Sequence, residues 1–166
     1  MKRFIPLLLM LAAAVSLRAT DDSAVRALEK EVAAITAGPR ITVVHFWAPW
    51  CSNCKTELAN HGWSTFIDSN FDVKFVFITA WNAEDGRALL KQNDVGGQEN
   101  FQLFLHPNAS RKAGEKMTTF MGLPVSWLPT TWVFKDGQLR YALNYGELRF
   151  PILQQLIRDS EDEWKH

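Results

Sequence analysis

The sequence predicts an α/β domain, a central mixed β-sheet flanked by helices. Three observations carry that expectation. Two runs, Ile41 to Trp47 and Val73 to Thr79, are β-branched and aromatic with near-continuous apolar character, as in strands buried on both faces. Segments of helical periodicity precede, separate and follow them, which makes parallel crossovers the natural connection. A third β-rich run, Thr130 to Phe134, is followed by the tight turn Lys135-Asp136-Gly137-Gln138 and a return run from Leu139 to Leu143, so an antiparallel hairpin closes one edge.

The chain has 166 residues, one domain's worth and enough to bury a core. Hydrophobic residues make up 47% and charged ones 22%, which excludes disorder. Lys+Arg and Asp+Glu balance at 18 each, leaving no basic footprint for nucleic acid. At the N-terminus Lys2 and Arg3 precede an apolar run from Phe4 to Val15, and small residues follow up to Ala19. That is the pattern of a secretory signal peptide, residues 1–19, and the run is short for a membrane span. A buried N-terminal helix and an uncleaved anchor are the alternatives. Cleavage would remove Lys2, Arg3 and Arg18 and no acidic residue, leaving a mildly acidic chain. Residues 20–40 then read as an N-terminal helix and lead-in, and 41–166 as the main domain.

Element by element, Asp21 to Ala37 is expected as a helix. Val25, Leu28, Val32 and Ile35 share a face, and Gly38-Pro39 stop it. The strand from Ile41 is followed by a helix through Lys55, Glu57, Leu58, Phe66 and Ile67, with Gly62 taking any bend. After the second strand, Asn82-Ala83-Glu84-Asp85 suits an N-cap with an acidic third residue, opening a helix through Leu89 and Leu90. Phe101 to Leu105 is a short strand, and residues 107–122 could hold a short helix. Pro151 fits the first turn of a last helix with Ile152, Leu153, Leu156 and Ile157 on its apolar face.

Cys51 and Cys54 are the only cysteines, three apart at the start of the second helix. Thiols at that spacing can close a small disulfide and reopen it, and a helix start favours a thiolate. As a structural staple the pair is poor, because a tiny loop removes little unfolded-state entropy. Export would place it where thiols oxidise. A metal site is the competing reading, but two cysteines supply half a tetrahedral set, and His61 or His45 would have to contribute.

Trp50-Cys51-Ser52-Asn53-Cys54-Lys55 after Phe46-Trp47-Ala48 resembles the thioredoxin superfamily. Leu128-Pro129-Thr130-Thr131 ahead of a strand and Lys135-Asp136-Gly137 is similar to that superfamily's cis-proline segment. The exported setting and Glu57, three residues past the second cysteine, resemble the TlpA/ResA-like branch. The resemblance implies a thioredoxin-like fold with helices on both faces of the sheet. It implies that Cys51 attacks, Cys54 resolves, and Pro129 is cis and packs against the disulfide. Glu57 would then accept and donate protons, its raised pKa suiting it to take that of Cys54. Leu128 and Thr130 would orient an extended partner as an added strand, with Trp50 as an apolar rim beside Cys51. Bland readings stand beside these: a trans proline on an edge strand for Pro129, and a solvated first-turn acid for Glu57.

Two departures from the family pattern matter. An acid is common six residues before the first cysteine, where this chain has His45, either a proton shuttle or a satisfied core residue. The helix-kinking proline is replaced by Ala59, from which a straighter helix is expected. Trp47 is expected in the core; Trp127 and Trp132 flank Pro129, with core packing the default for both and one of them a candidate for lining a substrate groove.

The expected activity is exchange of a dithiol and disulfide with protein substrates, outside the cytoplasm and in the periplasm or its equivalent. The expected direction is reduction, with a membrane electron donor and no cofactor, as the resemblance implies. A disulfide oxidase or isomerase is the runner-up. A soft-metal (copper) binding protein is the alternative from another class.

Overall fold

The computed structural model describes residues 22–144, 146 and 148–162; the expected signal peptide lies outside them. Helix α1 spans residues 22–36. It is followed by β1 (Thr42–Trp47), α2 (Ser52–Leu58), a 3-10 turn (Ala59–His61), α3 (Gly62–Ser69), β2 (Lys74–Thr79), α4 (Arg87–Gln92) and β3 (Phe101–Leu105). Then come a two-stranded hairpin, β4 (Thr119–Phe120) and β5 (Leu123–Pro124), the strands β6 (Thr130–Lys135) and β7 (Gln138–Leu143), and α5 (Phe150–Glu161).

The main sheet has the order β3-β2-β1-β6-β7. β1 pairs parallel with β2, and β2 with β3, while β6 lies antiparallel to both β1 and β7. This is the expected mixed sheet in the α/β, thioredoxin-like arrangement. β1 is central and all six of its residues are buried, which is why its sequence lacks a polar face. Its side chains alternate between two cores. Val43 and Trp47 join Leu58, Trp63, Phe75, Phe77, Leu153 and Ile157 under α2, α3 and α5. Val44 and Phe46 join Leu28, Val32, Phe120 and Trp132 under α1.

Three local expectations are corrected. The helix after Cys51 does not run straight through to a bend at Gly62. It breaks at Ala59–His61, where Asn60 and His61 take left-handed conformations (φ 54° and 57°). Gly62 has a packing role instead, since a Cβ there would stand 2.5 Å from the Glu57 carbonyl oxygen and 2.7 Å from the Phe150 ring. The expected cap at Asn82 forms a turn in which the Asp85 carboxylate accepts from the Arg87 N–H at 2.9 Å. α4 therefore begins only at Arg87, after Gly86 with φ 73°. Residues 107–122 hold no helix; they form a loop tied down by side-chain bonds such as Asn108 Nδ2 to the Glu115 carbonyl (2.8 Å), and then β4.

Candidate active site

The site forms where β1, the middle strand, delivers the chain to α2. Cys51 is the N-cap residue, extended at φ −73° and ψ 120°. Its backbone N–H donates to the Ala48 carbonyl (3.0 Å), and its carbonyl accepts from Lys55 (3.1 Å). Its Sγ accepts the Cys54 backbone N–H at 3.2 Å. The two cysteines form a disulfide with Cα atoms 5.3 Å apart. Cys51 is 5% exposed and Cys54 1%, so both are buried and Cys51 is the more accessible of the two. The backbone N–H that caps the helix points at that same sulfur and would favour its anionic form.

The site's rim comes from distant segments. The indole N–H of Trp50 donates to the Trp81 carbonyl at 3.1 Å, and the Arg111 guanidinium lies 3.9 Å above the Trp50 ring, a cation–π contact. Trp50 is 37% exposed. The Leu128–Pro129 peptide is cis. Phe46 is in register with Thr130, which puts Pro129 at the end of the sheet where β1 leads into the cysteine loop. Leu128 packs against both cores. Thr130 is fully buried, and its hydroxyl donates to the Trp127 carbonyl at 2.9 Å; it holds the turn rather than offering its side chain. Trp127, 59% exposed, is the tryptophan of this segment that faces outward, whereas Trp132 and Trp47 are core residues.

Beneath the disulfide lies a buried polar cluster. Glu57, one turn beyond Cys54 on α2, is 2% exposed and is not a solvated surface acid. Its Oε1 accepts the Leu148 backbone N–H at 2.7 Å, and its Oε2 accepts the Trp63 indole N–H at 3.2 Å. The His45 Nε2 lies 3.3 Å from the same Oε2, and its Nδ1 is 2.8 Å from the Thr131 hydroxyl. Burial lowers the His45 pKa from 6.5 to about 3, because a charged imidazole loses its hydration there. Burial thus disfavours a charged imidazole at the His45–Glu57 contact. Trp63 and Phe77 pack on that ring with centroids 4.6 and 4.7 Å away.

Cys51, Cys54, Glu57, Trp50, Leu128 and Pro129 thus gather at one end of the sheet, with Thr130 supporting them from below. The contact between His45 and Glu57 is not among the expectations drawn from the sequence. One local signal for it exists: alternation along β1 puts His45 on the face of Val43 and Trp47, under the helix that carries Glu57. The N–H from Leu148, 91 residues away in sequence, and Arg111 over Trp50 had no local signal. His61, the other candidate metal ligand, is exposed and pairs with Asp94 at 3.0 Å. Among the described residues no group of three or more His, Cys, Asp and Glu side chains could hold a metal ion.

The family model that matches, a thioredoxin-like domain, covers residues 28–161. Among solved structures, one similar chain is a secreted Mycobacterium tuberculosis disulfide oxidoreductase homologous to E. coli DsbE. It is 19% identical with a TM-score of 0.55, over 75% of this chain and 85% of that one. A DsbF homologue from Corynebacterium diphtheriae is 18% identical with a TM-score of 0.55, over 74% and 73%. A thiol:disulfide interchange protein of the thioredoxin family from Chlorobium tepidum is 14% identical with a TM-score of 0.54, over 76% and 83%. At these identities the likeness is one of fold. Comparison with curated protein sequences finds no significant match.

Proposed function

Because the chain belongs to the family of thioredoxin-like domains, we propose that it is an exported thiol–disulfide oxidoreductase that reduces disulfides in protein partners. The observation that carries this reading is the Cys51–Cys54 disulfide itself, closed at the start of a helix beside the Leu128–Pro129 segment. In the reduced protein the Cys51 thiolate attacks one sulfur of a partner disulfide, and the partner's other sulfur leaves and takes up a proton. Cys54 then loses its proton and attacks the Cys51 sulfur. The partner's second sulfur departs, two electrons have moved to the partner, and the Cys51–Cys54 disulfide is restored.

Glu57 is the proton acceptor and donor for Cys54 in this scheme, three residues along the same face of α2. Trp50 and Leu128 line the approach to Cys51, and Thr130 and Pro129 hold the segment that orients the partner. A membrane electron donor would re-reduce the pair. Export is supported by the charged and apolar pattern of residues 1–19 and by the secreted character stated for the Mycobacterium tuberculosis protein. Among the described residues no helix is long and apolar enough to cross a membrane.

The test is Cys54→Ser in the exporting cell. Partners held covalently through Cys51, released by a reducing agent and absent from a Cys51→Ser control, are the expected result. No trapped partner, together with no reduction of insulin by the unaltered protein, would contradict the proposal.

A further inference from the structure

The buried polar groups behind the disulfide form a continuous chain; its Thr131 end lines one cavity, and Glu57, whose side chain has no exposed surface, belongs to the lining of another. The side chain of His45 is 1% exposed. From Glu57 Oε2 the contacts run 3.3 Å to His45 Nε2 and 2.8 Å from His45 Nδ1 to the Thr131 hydroxyl. Thr131 in turn lines a cavity of about 230 Å³ together with Pro129, Leu143, Leu148, Arg149 and Ile152. A water molecule occupies roughly 30 Å³, so this cavity has room for several.

We infer that Glu57, His45 and Thr131 form a proton path through which Glu57 exchanges its proton with water in the cavity behind Pro129. The inference rests on the thiol–disulfide exchange proposed above, which gives the path protons to carry. When the disulfide is reduced, the Cys54 sulfur leaves as a thiolate and needs a proton on the buried side of the site, where Cys54 is 1% exposed. Glu57 can supply it only if it is recharged.

The transfers balance. In the carboxylate state His45 Nε2–H donates to Glu57 and the Thr131 hydroxyl donates to Nδ1. Nε2 gives its proton to Oε2, Nδ1 takes the Thr131 proton, and the Thr131 oxygen takes one from a hydronium ion in the cavity, which is left as neutral water. One proton has moved from the hydronium ion to Glu57, the imidazole has changed tautomer, and the same transfers run backward discharge the acid. The ring switches tautomer rather than resting as a cation, in keeping with the burial that lowers its pKa. The groups facing His45 are Glu57 from α2, Trp63 from α3, Phe77 from β2 and Thr131 from β6, of which Glu57 alone titrates. Arg149 stands at the cavity, where a cation disfavours an excess proton at rest. His45 and Thr131 act through Glu57 and are positioning residues for its proton.

Two measurements test the path on the full chain. The first follows the ring nitrogens of His45 by ¹⁵N NMR across pH in oxidised and reduced protein. The path predicts a neutral ring that changes from the Nε2–H to the Nδ1–H tautomer as pH falls, with a midpoint that moves with the redox state. One unchanging tautomer, or a midpoint indifferent to the cysteines, would overturn it. The second is Thr131→Val, which removes the hydroxyl at nearly constant volume. Reduction of the disulfide by a small dithiol should slow by about a hundred-fold, the lower end for a lost proton-transfer group, and its pH profile should change shape. A Thr131→Val protein with the parent's rate and pH profile would overturn the path and leave the proposed function standing. A parent protein without disulfide exchange would remove the function itself.

Discussion

Replacing Glu57 by Gln alters one oxygen and tests whether the buried carboxylate is held as the structure implies. Oε1 accepts from the Leu148 N–H (2.7 Å), and Oε2 accepts from the Trp63 indole (3.2 Å) and faces His45 Nε2 (3.3 Å). A glutamine has one acceptor oxygen for these two positions. With its oxygen toward Leu148, the amide NH₂ meets the Trp63 N–H, which has no other tautomer; His45 can adapt by turning its lone pair to the amide. With the oxygen toward Trp63, the Leu148 N–H is left facing a donor. Either way one buried N–H loses its acceptor, at a cost of about 1–3 kcal/mol. For a chain of this size that is a fall of about 2–4 °C in Tm per kcal/mol. Urea and thermal unfolding of the oxidised proteins, parent and Glu57→Gln, measure it. A variant within about 0.5 kcal/mol of the parent, the range of an ordinary surface change, would refute the argument that the Leu148 and Trp63 N–H donors both depend on this carboxylate.

Other outcomes follow from the same geometry. His45→Phe should flatten the acid limb of the stability curve. The folded pKa of about 3 lies below the ordinary 6.5, so the unfolded chain binds the extra proton between those values. The parent should therefore lose roughly 1–1.5 kcal/mol per pH unit as pH falls through that window, and keep this contribution above it. Unfolding midpoints against pH for both proteins check the difference, and parallel curves would count against it. Gly62→Ala places a Cβ 2.5 Å from the Glu57 carbonyl oxygen and 2.7 Å from Phe150. Equilibrium unfolding should show a loss of about 1–3 kcal/mol, and an unchanged midpoint would contradict the tight approach of α3 to α2 and α5.

Most of the fold was legible because its signals are local. The continuous apolar runs of β1 and β2, the Lys135–Gln138 turn and Pro151 at the start of α5 each carry their own structural instruction. The failures have physical causes. Ala59 suggested a straight helix, but a break needs no proline when Asn60 and His61 can adopt left-handed backbone. The acidic run at residues 82–85 resembled a helix cap, yet Gly86 sets the actual start of α4. At the site, the cysteine pair and Pro129 stood out by spacing and by family pattern. The surroundings of Glu57 did not, since Trp63, His45, Thr131 and Leu148 arrive from four separate segments, brought together only by the closed core.

The reduction potential of the Cys51–Cys54 pair, equilibrated against glutathione or a dithiol of known potential, tests the proposed activity most directly. A reductant of this fold is expected well below the glutathione-rich oxidising poise, nearer the thioredoxin value of about −270 mV than the DsbA value of about −120 mV. A potential close to −120 mV would contradict the direction of electron flow, and a pair that never equilibrates with the reference dithiol would contradict the exchange itself.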